Sequence, residues 1–443
     1  MLKRFKSFYI EPLFYWTWLS LVFLLVFTYL VPALYLPSLI LILALSLLTL
    51  ADVVLLYSKK QGVEAHRQLG EKLSNGDFNA IQIELANYYS FKIHAKIIDE
   101  LPVQLQERNF LIKRNLDVGK KTQLTYHIRP SERGEYHFGR LLIFISSPIR
   151  LVSRRYTFDQ FQMAPVYPSF VQLKKFDLIV SAYRNEFGLK KIRRIGHTME
   201  FEQIKDYVLG DDMRTINWNA TAKKNQLMVN QFQDEKSQPV YSIIDKGRSM
   251  KMPFNQLSLL DYSINASLVM SNTILKKHDK AGMFTFSKKV ENRIVAAKRS
   301  GQMHLILENL YNIKTDYSES DFGVLYGEIK RKITQRSLLF LYTNFETLDG
   351  MERQLAYLQA IAKQHVLVVV FFVNTELEIL LNAKSERIQN IYQKTIAQKF
   401  TYEKRLIVKE LRRRGVATIL TKPEDLTLNV INKYLEIKAR GHH

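Results

Sequence analysis

The sequence contains no cysteine, which excludes disulfides, iron–sulfur clusters, thiolate zinc sites and cysteine nucleophiles. Proline and glycine are sparse, 11 and 17 in 443 residues, so the chain is neither collagen-like nor a low-complexity linker. Glycine is too thinly spread for a G-x-G-x-x-G fingerprint, and the 10 histidines form no H-E-x-x-H pair. Gly119-Lys120-Lys121-Thr122 imitates the end of a Walker A loop but has no upstream glycine in register. Negative charge is also scarce: 42 Asp and Glu stand against 64 Lys and Arg, a formal +22. That excess is dispersed and no base-reading motif accompanies it, so specific nucleic-acid recognition is not expected. What remains is a chain 47% hydrophobic, long enough for two or three folded units.

Two runs carry no charge at all, Leu13 to Val31 and Ala33 to Ala51. Each approaches the ~20 residues a helix needs to cross a bilayer. Pro32 and Pro37 fit a tight turn between them, since proline interrupts helical hydrogen bonding, and Trp16 and Trp18 suit interfacial anchors. A cleaved signal peptide would have a shorter apolar core. The reading is a transmembrane hairpin over residues 1–58, with spans at about 13–31 and 36–56; a buried hairpin in a soluble core is the alternative. Lys3, Arg4 and Lys6 precede the first run and Lys59, Lys60 and Arg67 follow the second. The positive-inside rule therefore places both ends, and everything after residue ~58, in the cytoplasm of a two-pass protein. Asp52 is expected to reach water near the second exit rather than to act as an intramembrane proton relay.

Residues 59–170 read as a small antiparallel β-sandwich. Phe78 to Leu85 and Gln123 to Ile128 alternate at period two, and Asn75-Gly76-Asp77 and Arg133-Gly134-Glu135 supply turns. Between Arg108 and Arg155 there are eleven Lys or Arg against three Asp or Glu, a surplus of eight. That surplus either meets anionic headgroups of the lipid bilayer or forms an unengaged basic face. Beyond a linking segment at 171–238, residues 239–443 change pattern. Apolar strands at Pro239–Asp245, Gly282–Phe286, Leu338–Tyr342, Val366–Phe372 and Val416–Leu420 alternate with helical stretches, which predicts an α/β domain with a mostly parallel sheet covered on both faces. Ligands of such sheets sit at the carboxyl ends of the strands. Asp245, Ser287 and Asn344 fall there.

Asp245-Lys246-Gly247-Arg248-Ser249 sets an acid at the end of the first strand with a serine four residues on. Oxygen donors at such spacing suit a hard divalent cation. The stretch resembles the Asp-x-Ser-x-Ser metal-ion-dependent adhesion site of von Willebrand factor A domains, in degenerate form. Asp245 and Ser249 match, Gly247 replaces the first serine, Ser320 stands near the expected threonine, and Asn344 stands where an aspartate is expected. The resemblance implies at most weak Mg2+ or Mn2+ binding; otherwise the cleft binds a partner by hydrogen bonds alone.

The linking segment carries Glu202 and Asp206 one helical turn apart, with Gly210 placed to end that helix. Asp211 or Asp212 would cap the next turn, and Arg214 lies near enough for a carboxylate pair. His197 is the sole nearby histidine. A structural clasp is the expected role; an acid/base pair or a two-metal site is the chemical alternative. Tyr207, Gly210, Asp211, Arg214, Ile216, Trp218, Ala222 and Lys223, followed by Glu235, resemble the signature of the domain-of-unknown-function 58 family, bacterial membrane-anchored proteins often encoded beside MoxR-type AAA+ ATPases. Arg133-Gly134-Glu135-Tyr136 and Ser147-Pro148 add to the similarity. Lys223 stands where that family more often has arginine. The resemblance implies a non-enzymatic adaptor or scaffold in the bacterial inner membrane. Its cytoplasmic A-type domain would bind a MoxR-type ATPase and other membrane or envelope proteins, with Lys246 and Arg248 as candidates for meeting an acidic partner. The enzyme alternative is a metal-dependent hydrolase of phosphate-bearing or acidic envelope substrates using Asp211, Asp212 and Asp245. Gly441-His442-His443 is too short to read as a metal site.

Overall fold

The computed structural model describes residues 7–171, 199–209, 211–234, 237–375, 377, 381 and 388–440. The chain divides into two compact units, Met1–Ser169 and Phe170–His443. His197, Gly210, Glu235 and residues 441–443 lie outside the described residues.

The first unit opens with a short strand, Phe8–Ile10, that leads directly into a helix at Pro12–Phe27. Pro12 sits in the first turn, where its missing N–H costs nothing. A 3-10 turn at Pro32–Leu34 leads into the second helix, Tyr35–Tyr57. The two helices differ in reach. Together with its leading turn, the second forms a stretch of 26 residues, long and apolar enough to cross a membrane, whereas the first has 16. The apolar run expected at 13–31 is cut short because the chain turns after Phe27, ahead of Pro32. Phe23, Val26, Leu43 and Leu50 all expose more than half of their surface.

Behind the helices lie an antiparallel five-stranded sheet and two smaller sheets. The five-stranded sheet runs Phe8–Ile10, Val152–Phe158, Leu141–Ser146, Ile93–Asp99, Ile112–Leu116. A second sheet holds Val63–Gln68, Asn79–Asn87 and Lys121–Ile128, and a third holds Leu73–Ser74, Gln162–Tyr167 and Gly134–Phe138. Period-two alternation sends Ile81, Ile83, Ile143 and Ile145 into one shared core, and Leu56 of the second helix is part of it. Asp52 departs from expectation. It is fully buried, and its Oδ2 accepts the backbone N–H groups of Leu151 and Val152 at 3.1 and 3.0 Å. It faces away from water because the last turns of its helix pack against strand Val152–Phe158. Arg154 donates to the carbonyls of Leu56 and Lys59 at 2.8 and 2.7 Å, a cation at a helix C-terminus.

The second unit is built on a six-stranded sheet ordered Val290–Ala297, Lys280–Phe286, Pro239–Asp245, Leu338–Tyr342, Val366–Phe372, Ala417–Thr421. Every pair is parallel except the first, where Val290–Ala297 runs antiparallel at the edge. Helices Leu259–Lys276, Gln302–Tyr311 and Leu426–Arg440 cover one face around Val240, Ile244 and Phe340. Helices Phe322–Lys332, Leu348–Gln364 and Ile388–Arg413 cover the other, around Ile243, Leu341 and Phe371. With both faces covered, the central strands read as unbroken apolar runs.

Glu202 to Asp206 form no helix. Met199–Asp206 is a strand, paired antiparallel with Met228–Asp234. A register shift between Phe201 and Gln203 breaks the alternation that would otherwise have marked it as a strand.

Candidate functional site

The central strand Pro239–Asp245 delivers Asp245 to the carboxyl edge of the sheet, 1% exposed. Burial pushes its carboxyl upward, and hydrogen bonds from Ser320, Gly247 and Thr343 oppose that rise. Gly247 N donates to Oδ1 at 2.8 Å, Ser320 Oγ also donates to Oδ1, and Thr343 Oγ1 donates to Oδ2 at 2.7 Å. Both carboxylate oxygens are thus engaged by the protein itself. Gly247 is a steric necessity here. A Cβ on it would lie 2.2 Å from Ser320 Oγ and 2.9 Å from the Ser318 carbonyl. The hydroxyl of Ser320 fills the room that a serine at 247 would need. Ser249 sits half-buried in the turn Arg248–Lys251.

Asn344 follows strand Leu338–Tyr342, and its Oδ1 accepts from Lys404 Nζ at 2.7 Å. The same ammonium donates to the Phe345 carbonyl at 2.5 Å and lies 5.8 Å from the Phe371 ring. Among the described residues no carboxylate approaches Lys404 within ion-pair distance. Burial lowers its pKa to about 8, with Glu346 pulling the other way. Lys404 and Asn344 line a cavity of about 370 Å3 whose walls include Met252, Phe254, Phe372 and Phe400. Arg405 and Glu346 line it too, so the largely apolar cavity carries two cations and one acid among its described walls, and the net positive charge suits recognition of an acidic group.

The two cations expected to meet a partner differ in availability. Lys246 is nearly buried and pairs with Glu291 at 2.6 Å. Arg248 is exposed, 3.8 Å from an equally exposed Glu319.

The signature segment is held together locally. Tyr207 N donates to the Leu227 carbonyl at 2.8 Å, and Ile216 bridges Val229. Asp211 pairs with Lys205 at 2.8 Å and accepts from Val208 N at 3.0 Å. The Lys205 hydrogen bond holds its carboxyl below the usual range. Asp212 caps the turn Met213–Thr215 through the backbone N–H of Arg214. Asn217 caps helix Trp218–Lys224. Trp218 is 69% exposed, and Arg214 and Lys223 are exposed too. None of the partners of Asp211 or Asp212 is a partner of Asp245.

Sequence reasoning missed Lys404 and Thr343. Lys404 sits on a helix crowded with lysine and arginine, yet it falls seven residues from both Ala397 and Leu411, the buried stripe of Ile388–Arg413. A cation on an apolar stripe was the available signal.

Residues 203–405 match the family model described as "Protein of unknown function DUF58". The chain is 24% identical over 234 residues to the uncharacterised protein YeaD of Bacillus subtilis (strain 168), a match covering 51% of this chain and 56% of that one. The chain thus spans about half the length of this curated relative. These two matches support the DUF58 family. Among solved structures, BatB from Bacteroides thetaiotaomicron is similar at 12% identity and a TM-score of 0.30, over 46% of this chain and 100% of that one. The PapD-like domain 7 of human CEP192 is similar at 11% identity and a TM-score of 0.19, over 24% and 87%.

Proposed function

We propose that this chain is a non-enzymatic adaptor of the bacterial inner membrane. Its two N-terminal helices anchor it with both ends in the cytoplasm, and a von Willebrand factor A-like domain offers its strand-end cleft to protein partners. A MoxR-type AAA+ ATPase, acting in the assembly or remodelling of envelope or other complexes, is the partner the family resemblance suggests. The observation that carries the reading is the pair of opposite choices at the sheet edge. Asp245 spends both oxygens on protein donors, while among the described residues no carboxylate lies within ion-pair distance of Lys404, Glu346 acting on it only from farther off. A charge held without a close counter-charge beside a largely apolar cavity favours a partner that brings an acid.

The oxygen set Asp245, Ser249, Ser320 and Asn344 does not fit a resident Mg2+ or Mn2+ ion. Ser320 is turned onto Asp245, and the Asn344 oxygen carries an ammonium, which repels a divalent cation. A hydrolase using Asp211, Asp212 and Asp245 gains no support from carboxylates with separate partners.

The test is co-purification of the full-length protein in mild detergent with a co-expressed MoxR-type ATPase. Lys404→Met combined with Arg248→Ala is expected to lower the retained ATPase at least tenfold, with Trp218 fluorescence unchanged. Full retention by the double variant refutes recognition through this cleft.

A further inference from the structure

The first unit carries a second concave site at the foot of its helices. Strands Ile93–Asp99 and Ile112–Leu116 pair so that Lys96 stands directly opposite Lys113, and His94 opposite Asn115. Like charges facing each other across an antiparallel pair are destabilising, so stability alone does not account for this arrangement. Arg150 closes the groove from the turn beyond strand Leu141–Ser146. Its guanidinium meets His94 Nε2 at 2.8 Å instead of a carboxylate, and its backbone adopts a φ of 62°. Lys96 is balanced by Glu11 at 2.5 Å. Among the described residues Lys113, Arg114 and Arg150 have no carboxylate within ion-pair distance. These groups surround a groove of about 520 Å3.

Its position within the unit indicates what fills it. Glu11, on the groove wall, immediately precedes the apolar helix Pro12–Phe27. Leu151, next to Arg150, is tied to both helices: its carbonyl accepts from Glu11 N at 3.1 Å, and its N–H donates to Asp52. The unpaired cations therefore lie at the level where two apolar helices end. In a membrane that is the layer of lipid phosphates.

We propose that this groove binds the phosphate of an anionic phospholipid headgroup, through Lys113 and Arg150. The proposal rests on the reading of the helices as a membrane anchor. The ligand seats the sandwich against the bilayer and relieves the Lys96–Lys113 repulsion.

The experiment uses full-length protein in detergent, with native mass spectrometry counting bound short-chain phosphatidylglycerol, phosphatidylcholine and inorganic phosphate in separate titrations. Phosphatidylglycerol is expected to bind most tightly and to weaken about fivefold for each cation removed, in Lys113→Gln and in Lys113→Gln with Arg150→Gln. Lys113→Gln removes a repulsion, so its melting temperature should equal or exceed that of the parent, and lost lipid then cannot be attributed to unfolding. Lys330→Gln with Lys332→Gln, in the other unit, should change nothing. Unaltered phosphatidylglycerol binding in the double groove variant overturns the proposal. So does an effect confined to inorganic phosphate, which would make the groove a soluble-anion site. Alkaline carbonate extraction tests the anchor separately. Release of the chain from membranes refutes the anchor, whereas an integral chain without lipid preference refutes only the groove.

Discussion

Replacing Lys404 by methionine removes a half-buried cation while keeping most of the volume of its side chain. The fall of its pKa from 10.5 to about 8 corresponds to about 3 kcal/mol, at about 1.36 kcal/mol per pH unit. Below pH 8 the lysine is protonated in both folded and unfolded chains, and this destabilisation is present in full. Between pH 8 and 10.5 the unfolded chain holds the proton more tightly than the folded one, so folding gains stability as pH rises. By pH 10 most of the 3 kcal/mol is relieved. The methionine variant has no such term. It also loses the donors to Asn344 and Phe345, but that loss varies little with pH and cancels when the same comparison is made at two pH values.

The measurement is thermal unfolding of the full-length protein and of Lys404→Met in the same detergent at pH 7 and pH 10. The melting temperature of the wild type, taken relative to the variant, should rise by about 5 °C between the two, at about 2 °C per kcal/mol for a unit of this size. Every other titrating group is common to both proteins and drops out. A constant offset, or a wild type that weakens relative to the variant as pH rises, refutes the account of Lys404 as a desolvated, only partly compensated charge.

Two further substitutions probe the packing. Gly247→Ser forces its Cβ against Ser320 Oγ and the Ser318 carbonyl and should cost about 1–3 kcal/mol of stability, read as a lower melting temperature; Ser320→Gly in the same chain clears only the first contact and should recover only part of it. Asp52→Ala leaves the Leu151 and Val152 N–H groups without their acceptor, at about 1–3 kcal/mol for each. Limited proteolysis in detergent should then cut the sandwich sooner, and Asp52→Asn, which keeps one acceptor oxygen, should fall between the two.

The buried strands were legible because burial on both faces leaves only one kind of residue in each: Val366–Phe372 and Leu338–Tyr342 need no context to be read. The edge strand Val290–Ala297 was not, since Glu291, Asn292 and Arg293 are exposed and mask its pattern. Met199–Asp206 failed for a different reason. Glu202 and Asp206 have helical spacing, and the register shift beside Phe201 hides the strand period. At the candidate site the sequence exposed Asp245 and Asn344, because strand ends are marked by where the apolar runs stop. It could not expose what each side chain meets. The donors on Asp245 come from positions 247, 320 and 343, and the ammonium on Asn344 from position 404. Long-range pairing of that kind leaves no local period.

Asn344 and Lys404 form one electrostatic choice rather than two separate substitutions. An aspartate at 344 would place a carboxylate where the amide oxygen now lies, 2.7 Å from the ammonium. The two charges would neutralise each other, and the lysine pKa would climb back from about 8. The cavity would then present a satisfied ion pair to any visitor. With asparagine, the geometry of the contact is kept and the positive charge is left over. Among the described residues the ammonium donates to two neutral carbonyl oxygens, which orient the group without discharging it. Under the proposed reading, a carboxylate arriving in the cavity would share the ammonium's attraction with Glu346, which lines the same cavity. Its own desolvation offsets part of that gain, which favours an acid carried on an apolar segment that also covers Phe254 and Phe400.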